Sequence, residues 1–255
     1  MILTVENLSK NFKGLKAVNN LSISVGEEEI VGIIGPNGAG KTTVFNLITG
    51  LLNPEPKSKI VFLNENITFE DSYKIARKGI SRTFQIIKLF SHLSVLENVM
   101  VGAQKNNESG FFSTMFYGQK FRKNDQKIRE YANYILELLN LSYLKDQISG
   151  YLPYGTQRMV EIARAIASKP NLILLDEPVA GMNSEESASL AGKIKDIIKK
   201  FKVSILLVDH DMSFVMGLCK RIIVMNYGIK IAEGKPEEIR NNQLVVEAYL
   251  GRQKC

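Results

Sequence analysis

The chain has 255 residues, 45% of them hydrophobic, and 33 Lys and Arg against 26 Asp and Glu give it a net charge of +7. That is enough to bury a large core as one elaborate domain or two small ones, which excludes disorder as its working state. The longest apolar runs, such as Leu172–Leu175 and Ile205–Val208, fall far below the roughly 18 residues of a membrane-spanning helix, so the chain is not expected to form a channel itself. Basic residues form no block of five or six, which favours a solvated surface over a nucleic-acid groove.

Met1–Glu6 has neither the basic start nor the apolar centre of a secretory signal, which points to the cytosol. Cys219 and Cys255 lack metal-ligand spacing and read as a buried small residue and a tail thiol. Residues 2–6 and 21–25 cluster β-favouring side chains, with turns at Val18–Asn20 and Gly26–Glu28, and predict a small antiparallel sheet. Phe12, between those strands, either stacks on a base or packs against the sheet; spacing leaves both open.

The apolar run Ile30–Ile34 leads into Gly35-Pro36-Asn37-Gly38-Ala39-Gly40-Lys41-Thr42, the pattern G-x-x-x-x-G-K-[ST]. Phosphates need several short-range donors, and a tight glycine turn feeding a helix N-terminus supplies them. Lys41 reaches terminal phosphates, and the Thr42 hydroxyl suits a magnesium ion that the phosphates help to hold. Val44, Phe45, Leu47 and Ile48 recur at helical spacing up to Gly50.

A strand is expected over Ile60–Leu63, a short helix over Tyr73–Lys78 closing at Gly79, and a helix over Leu93–Met100. Gln85, between the last two, can both donate to and accept from a metal-bound water, on weak evidence of its own. Gln104–Asn124 changes character: Phe111–Tyr117 is aromatic-rich, and Phe112, Met115 and Phe116 share a helical face near Lys120, Arg122 and Lys123. Packing within a helical subdomain is preferred there to a partner helix or membrane surface. Ile128, Tyr131, Ile135 and Leu138 mark an amphipathic helix.

Leu152-Pro153-Tyr154-Gly155-Thr156-Gln157-Arg158 reads as a loop feeding a helix that carries Val160, Ile162, Ala163, Ile166 and Ala167; an anion site and a plain helix start explain it equally. Leu172–Leu175 reads as a strand buried on both faces, with Asp176 and Glu177 at the end where α/β sheets place ligands. Asp176 suits the water shell of magnesium, and Glu177 suits orienting or deprotonating a water. Asn183 and Glu186 form a capping pair for a helix with Leu190, Ile194, Ile197 and Phe201. Val203–Val208 is a second buried strand and delivers His210 to the same edge. Short strands near Arg221–Met225 and Ile229–Ala232 precede a helical tail, Pro236–Leu250.

The order P-loop, Gln85, Gly155-centred loop, Asp176-Glu177 and His210 resembles the ATP-binding cassette (ABC) ATPases over almost the whole chain. The resemblance implies an α/β P-loop NTPase: a RecA-like mixed sheet core with an N-terminal antiparallel β subdomain and an inserted helical subdomain. In a single domain spanning 1–255, residues 1–87 and 160–255 would form the core with its β subdomain, and 88–159 the helical subdomain. ATP and Mg2+ are the implied cofactors. Phe12 would stack on adenine, Gly35 to Thr42 together with Thr43 would hold the phosphates, and Thr42, Gln85 and Asp176 would face the metal. Lys41, Gln85, Glu177 and His210 would serve catalysis, Glu177 as the catalytic glutamate and His210 as the switch histidine.

By the same resemblance Leu152, Pro153, Tyr154, Gly155, Thr156 and Gln157 form the signature loop, acting on ATP held by a second subunit in a head-to-tail homo- or heterodimer. Two departures stand out. Pro153 replaces the signature serine, so that hydroxyl contact must be absent or supplied by backbone N–H groups, Thr156 or Gln157, and Asn183 replaces an aspartate. Gly35–Gly50, Leu93–Ala103, Leu152–Ala165, Ala180–Asn183 and Ile231–Arg240 are most similar to ATP-binding subunits of branched-chain amino acid importers. Those imply two transmembrane permeases, an extracytoplasmic substrate-binding protein as an indirect partner, and a place on the cytoplasmic face of the membrane, with no nucleic acid. The alternatives are lipopolysaccharide export and a soluble ATPase acting on ribosomes or DNA.

Overall fold

The structure, a computed structural model, describes residues 1–104 and 118–250. The aromatic stretch Phe111–Tyr117 lies outside the described residues. Among those described, no helix is long and apolar enough to cross a membrane.

The chain divides into two compact units, Met1–Arg82 with the chain from Asn171 onward, and Thr83–Pro170. The first holds two sheets. Strands β1 (Leu3–Phe12), β2 (Leu15–Val25), β4 (Lys59–Phe62) and β5 (Glu65–Asn66) form an antiparallel sheet in the order β2-β1-β4-β5. A six-stranded sheet runs from β10 (Ile229–Gly234) through β9 (Arg221–Asn226), β3 (Ile30–Ile34), β8 (Ser204–Val208) and β7 (Leu172–Asp176) to β6 (Ile80–Arg82). All its pairs are parallel except β9 with β10.

Every residue of β3, β7 and β8 is buried, as their unbroken apolar runs require of strands covered on both faces. Register follows, with Ile173 beside Ile205 and Gly32 beside Leu207. Gly32 lets the chain pack tightly: a Cβ there would lie 2.9 Å from the sulfur of Cys219. Burial pushes that thiol up to about 12, so Cys219 is the inert core residue expected.

The hairpin differs from expectation. The β1–β2 reversal occurs at Lys13-Gly14, both at positive φ, and not at Val18–Asn20. Asn7 and Asn20, both at φ 53, accompany irregularities in the pairing, and a bulge of this kind resembles a turn when only composition is visible. The first unit's helices are α1 (Lys41–Ile48), α2 (Ser72–Lys78), α6 (Ser184–Phe201), α7 (Met212–Leu218), α8 (Pro236–Arg240) and α9 (Gln243–Leu250). The tail is therefore two helices, interrupted at Asn241-Asn242.

The second unit holds α3 (Val95–Ala103), α4 (Gly118–Leu138) and α5 (Tyr154–Ala167). Ala132, Ile135, Leu136 and Leu139 give the inner stripe around α4. Helix α5 starts at Tyr154, well before Val160, because Pro153 sits at the N-cap and Gly155 falls in the first turn, where neither residue interrupts the hydrogen-bond ladder. All of α5 lies within this unit, which runs over 83–170 where the sequence suggested 88–159.

Candidate active site

Three neighbouring parallel strands of the first unit, β3, β8 and β7, end on one edge of the sheet. That is where open α/β sheets bind ligands, because the loops leaving the strand ends converge there. From β3 comes Gly35–Gly40, wound so tightly that two glycines have no substitute. A Cβ on Gly35 would meet the Met225 carbonyl at 2.1 Å, and one on Gly40 the Ala17 carbonyl at 2.3 Å. Gly40 also needs φ 99, the left-handed region.

The turn is secured by Ala39 N–H donating to Pro36 O at 3.1 Å and Gly228 N–H donating to Ala39 O at 3.1 Å. Lys41 and Thr42 then open α1, and the Lys41 ammonium donates to the carbonyls of Gly35 (2.7 Å) and Pro36 (3.0 Å), closing a ring over the loop. Burial lowers the Lys41 pKa, opposed by the charges of Glu177 and Asp176. Those two carboxylates therefore share one electrostatic field with the P-loop lysine.

Asp176 ends β7 with its side chain 3% exposed and accepts from Arg82 Nη2 at 2.8 Å. Glu177 follows at φ 48, an uncommon backbone for glutamate, and its N–H donates to Val208 O at 2.7 Å. The two adjacent carboxylates have different near neighbours, Arg82 for Asp176 and His210 for Glu177. Glu177 Oε2 lies 3.9 Å from His210 Nδ1, whose side chain is 65% exposed at the end of β8.

Asp209, fully buried beside it, accepts from the N–H groups of His210 (2.7 Å), Asp211 (2.9 Å) and Val179 (3.4 Å). It thereby ties the loop after β8 to the loop after β7. Burial raises its pKa despite those bonds. Asn183 N-caps α6 in the expected box, Glu186 N–H to Asn183 Oδ1 and Asn183 N–H to Glu186 Oε2, both 2.9 Å. Phe12 ends β1 half-exposed, with the Lys10 ammonium 5.5 Å from its ring centre.

The second unit carries Gln85 and the segment Leu152–Gln157. Leu152 is buried; Gly155, Thr156 and Gln157 form the first turn of α5, and Gln157 reaches back through Nε2 to Leu152 O at 2.8 Å. Gln85 is exposed, and its carbonyl accepts from Arg158 Nη2 at 2.8 Å. Arg158, with no exposed surface, also bonds Phe84 O at 2.5 Å and Glu161 Oε2 at 2.7 Å. Glu161 Oε1 accepts in turn from Lys88 N at 3.2 Å. This ion pair clamps the backbone around Gln85, which sequence reasoning missed, as it missed Arg82 and Asp209. The available signal was a charge inside an otherwise apolar stripe, which implies a buried partner.

A metal's fit can be judged from donor chemistry. Among the described residues no group of three His, Cys, Asp or Glu could hold an ion. Thr42 and Asp176 offer hard oxygens suited to a Mg2+ that arrives with phosphates and keeps several waters, so the residues present fit that ion.

Residues 18–180 match the family model described as ABC transporter, and residues 230–254 match that described as branched-chain amino acid ATP-binding cassette transporter. The chain is 41% identical over 251 residues to the high-affinity branched-chain amino acid transport ATP-binding protein BraF of Pseudomonas aeruginosa, covering 98% of each chain. Among solved structures it resembles the ADP conformation of an ATP-binding cassette of an ABC transporter, with TM-score 0.85 and 34% identity over 98% of this chain and 99% of that one. It also resembles a dimeric bacterial ABC transporter cassette, with TM-score 0.77 and 26% identity over 92% and 98%. The P-loop, the carboxylates and histidine on the neighbouring strand ends, and these likenesses agree: the chain belongs to the ABC transporter family, as an ATP-hydrolysing cassette of that family.

Proposed function

We propose that the chain powers the import of branched-chain amino acids from the cytoplasmic face of a membrane, through two permeases fed by an extracytoplasmic binding protein. The observation that carries the ATPase half of this reading is the meeting of Lys41, Asp176, Glu177 and His210 on adjacent strand ends. The name of the BraF relative and the match of residues 230–254 support the substrate class.

Gly35 to Thr43 cradle the phosphates with backbone donors and Lys41 adds a fixed positive charge, while Phe12 offers an exposed ring to the base. Mg2+, held by Thr42 and Asp176, would supply charge neutralisation at the transferred phosphoryl group. Glu177 orients and deprotonates the attacking water, with His210 beside it to contact the γ-phosphate. Hydrolysis needs a second cassette, identical or different, whose signature segment closes the far side. Pro153 offers no hydroxyl there, but a helix beginning at Tyr154 presents the N–H groups of its first turn and its positive dipole end to an anion.

The test is ATP turnover by the chain assembled with its permeases in proteoliposomes with a loaded binding protein. Leucine, isoleucine or valine should stimulate turnover several-fold above the unloaded assembly. Stimulation by a different cargo, lipopolysaccharide included, with none by these amino acids would overturn the substrate class.

A further inference from the structure

Arg82 ends β6, the edge strand of the six-stranded sheet, and its side chain is only 6% exposed. A cation that deep requires partners, and they come from two other elements. Nη2 donates to Asp176 Oδ2 on β7 at 2.8 Å, and Nη1 donates to Asn46 Oδ1 at 2.7 Å and Thr49 Oγ1 at 3.4 Å, at the C-terminal end of α1. The guanidinium also lies over the Phe45 ring, 5.4 Å from its centre. None of Phe45, Asn46, Thr49 or Arg82 is given a catalytic or binding role above.

The geometry has a consequence for the metal-facing pair. Thr42 stands at the start of α1 and Asp176 at the end of β7, and α1 is a short rigid rod of eight residues. Arg82 joins the far end of that rod to the carboxylate through one planar fork, so both ends of the link are fixed by a single side chain. We propose that Arg82 is a positioning residue, which sets the spacing and orientation of Asp176 relative to Thr42 and so tunes the metal dependence of nucleotide binding. The proposal rests on the Mg2+ reading given above. A lysine in its place would be a point charge on a flexible stem and could serve Asp176 or Asn46 but not brace both.

Equilibrium binding of a fluorescent ATP analogue to the full chain, in Mg2+ and in EDTA, separates the roles. Arg82→Met should leave affinity in EDTA near the wild-type value while the gain conferred by Mg2+ falls by about tenfold or more, the usual cost of removing a residue that orients a metal ligand. Arg82→Lys should reduce the same gain by a smaller factor. Because Arg82→Met removes a buried cation from beside Asp176, that variant is checked by thermal melting, and if it does not fold the lysine variant decides alone. An unchanged Mg2+ gain in the folded variants, or an equal loss with and without metal, would overturn the proposal. A wild-type chain that binds equally in Mg2+ and EDTA would overturn the metal reading itself, and the role of Arg82 with it.

Discussion

Arg221 on β9 ties the six-stranded sheet to β2 of the antiparallel sheet. It forms a fork with Glu29 just ahead of β3, Nε to Oε1 at 3.0 Å and Nη2 to Oε2 at 2.9 Å. It also reaches the Ser24 carbonyl on β2 at 2.9 Å and pairs with Glu233 on β10. Burial pulls Glu29 and Glu233 upward, yet hydrogen bonds and charge from Arg221, with Gly26 N–H on Glu29 and Lys230 on Glu233, hold both below their ordinary value of 4.5. Groups depressed in the fold stabilise it above their unfolded value, and that contribution is lost as pH falls through the folded value. Arg221→Met should therefore cost about 1–2 kcal/mol at pH 7, allowing for partial solvent screening, and much less at pH 3. Urea unfolding at the two pH values checks this, and an equal cost at both would contradict it.

At this scale local strings were legible and distant partnerships were not. Lys41 announces itself through its neighbours in sequence. Arg82, by contrast, meets a carboxylate 94 residues away, and Arg158 meets carbonyls 73 and 74 residues away. A single sequence shows a charge in an apolar setting but does not name its counterpart.

Helix ends are set by side chains within four residues of each other, which is why the start of α6 could be read in advance. Asn183→Ala removes the acceptor for Glu186 N–H and should cost about 1 kcal/mol, whereas Asn183→Asp keeps an acceptor and should remain within a few tenths. Denaturant midpoints measure both, and an alanine variant as stable as wild type would refute the capping role. The start of α5 was legible only in part. Proline and glycine in Leu152–Arg158 read as loop signals, but at an N-cap and in a first turn they leave no intrahelical bond unmade. The β1–β2 hairpin misled for the converse reason: Asn20 bends a continuous strand, while the actual reversal uses Lys13-Gly14.

In the molecule as a whole, continuous apolar runs identified β3, β7 and β8 as interior parallel strands, and this alone brings their C-terminal loops together. The candidate chemistry was therefore readable from strand order plus residue type, since Lys41, Asp176, Glu177 and His210 each follow one of those runs. What the pattern does not encode is orientation. The left-handed backbone at Glu177, and the buried Asp209 that ties the loop after β8 to the loop after β7, appear only in three dimensions.

We infer that Lys41, Asp176, Glu177 and His210 act together in ATP hydrolysis, with Glu177 handling the water. Single-turnover hydrolysis of radiolabelled ATP by Glu177→Gln, compared with wild type at saturating nucleotide and Mg2+, tests it most directly. The amide keeps the shape but is no base, so bound ATP should persist at wild-type occupancy while its cleavage slows by about a hundredfold or more. Cleavage within a few-fold of the wild-type rate would rule out Glu177 as the base that handles the water.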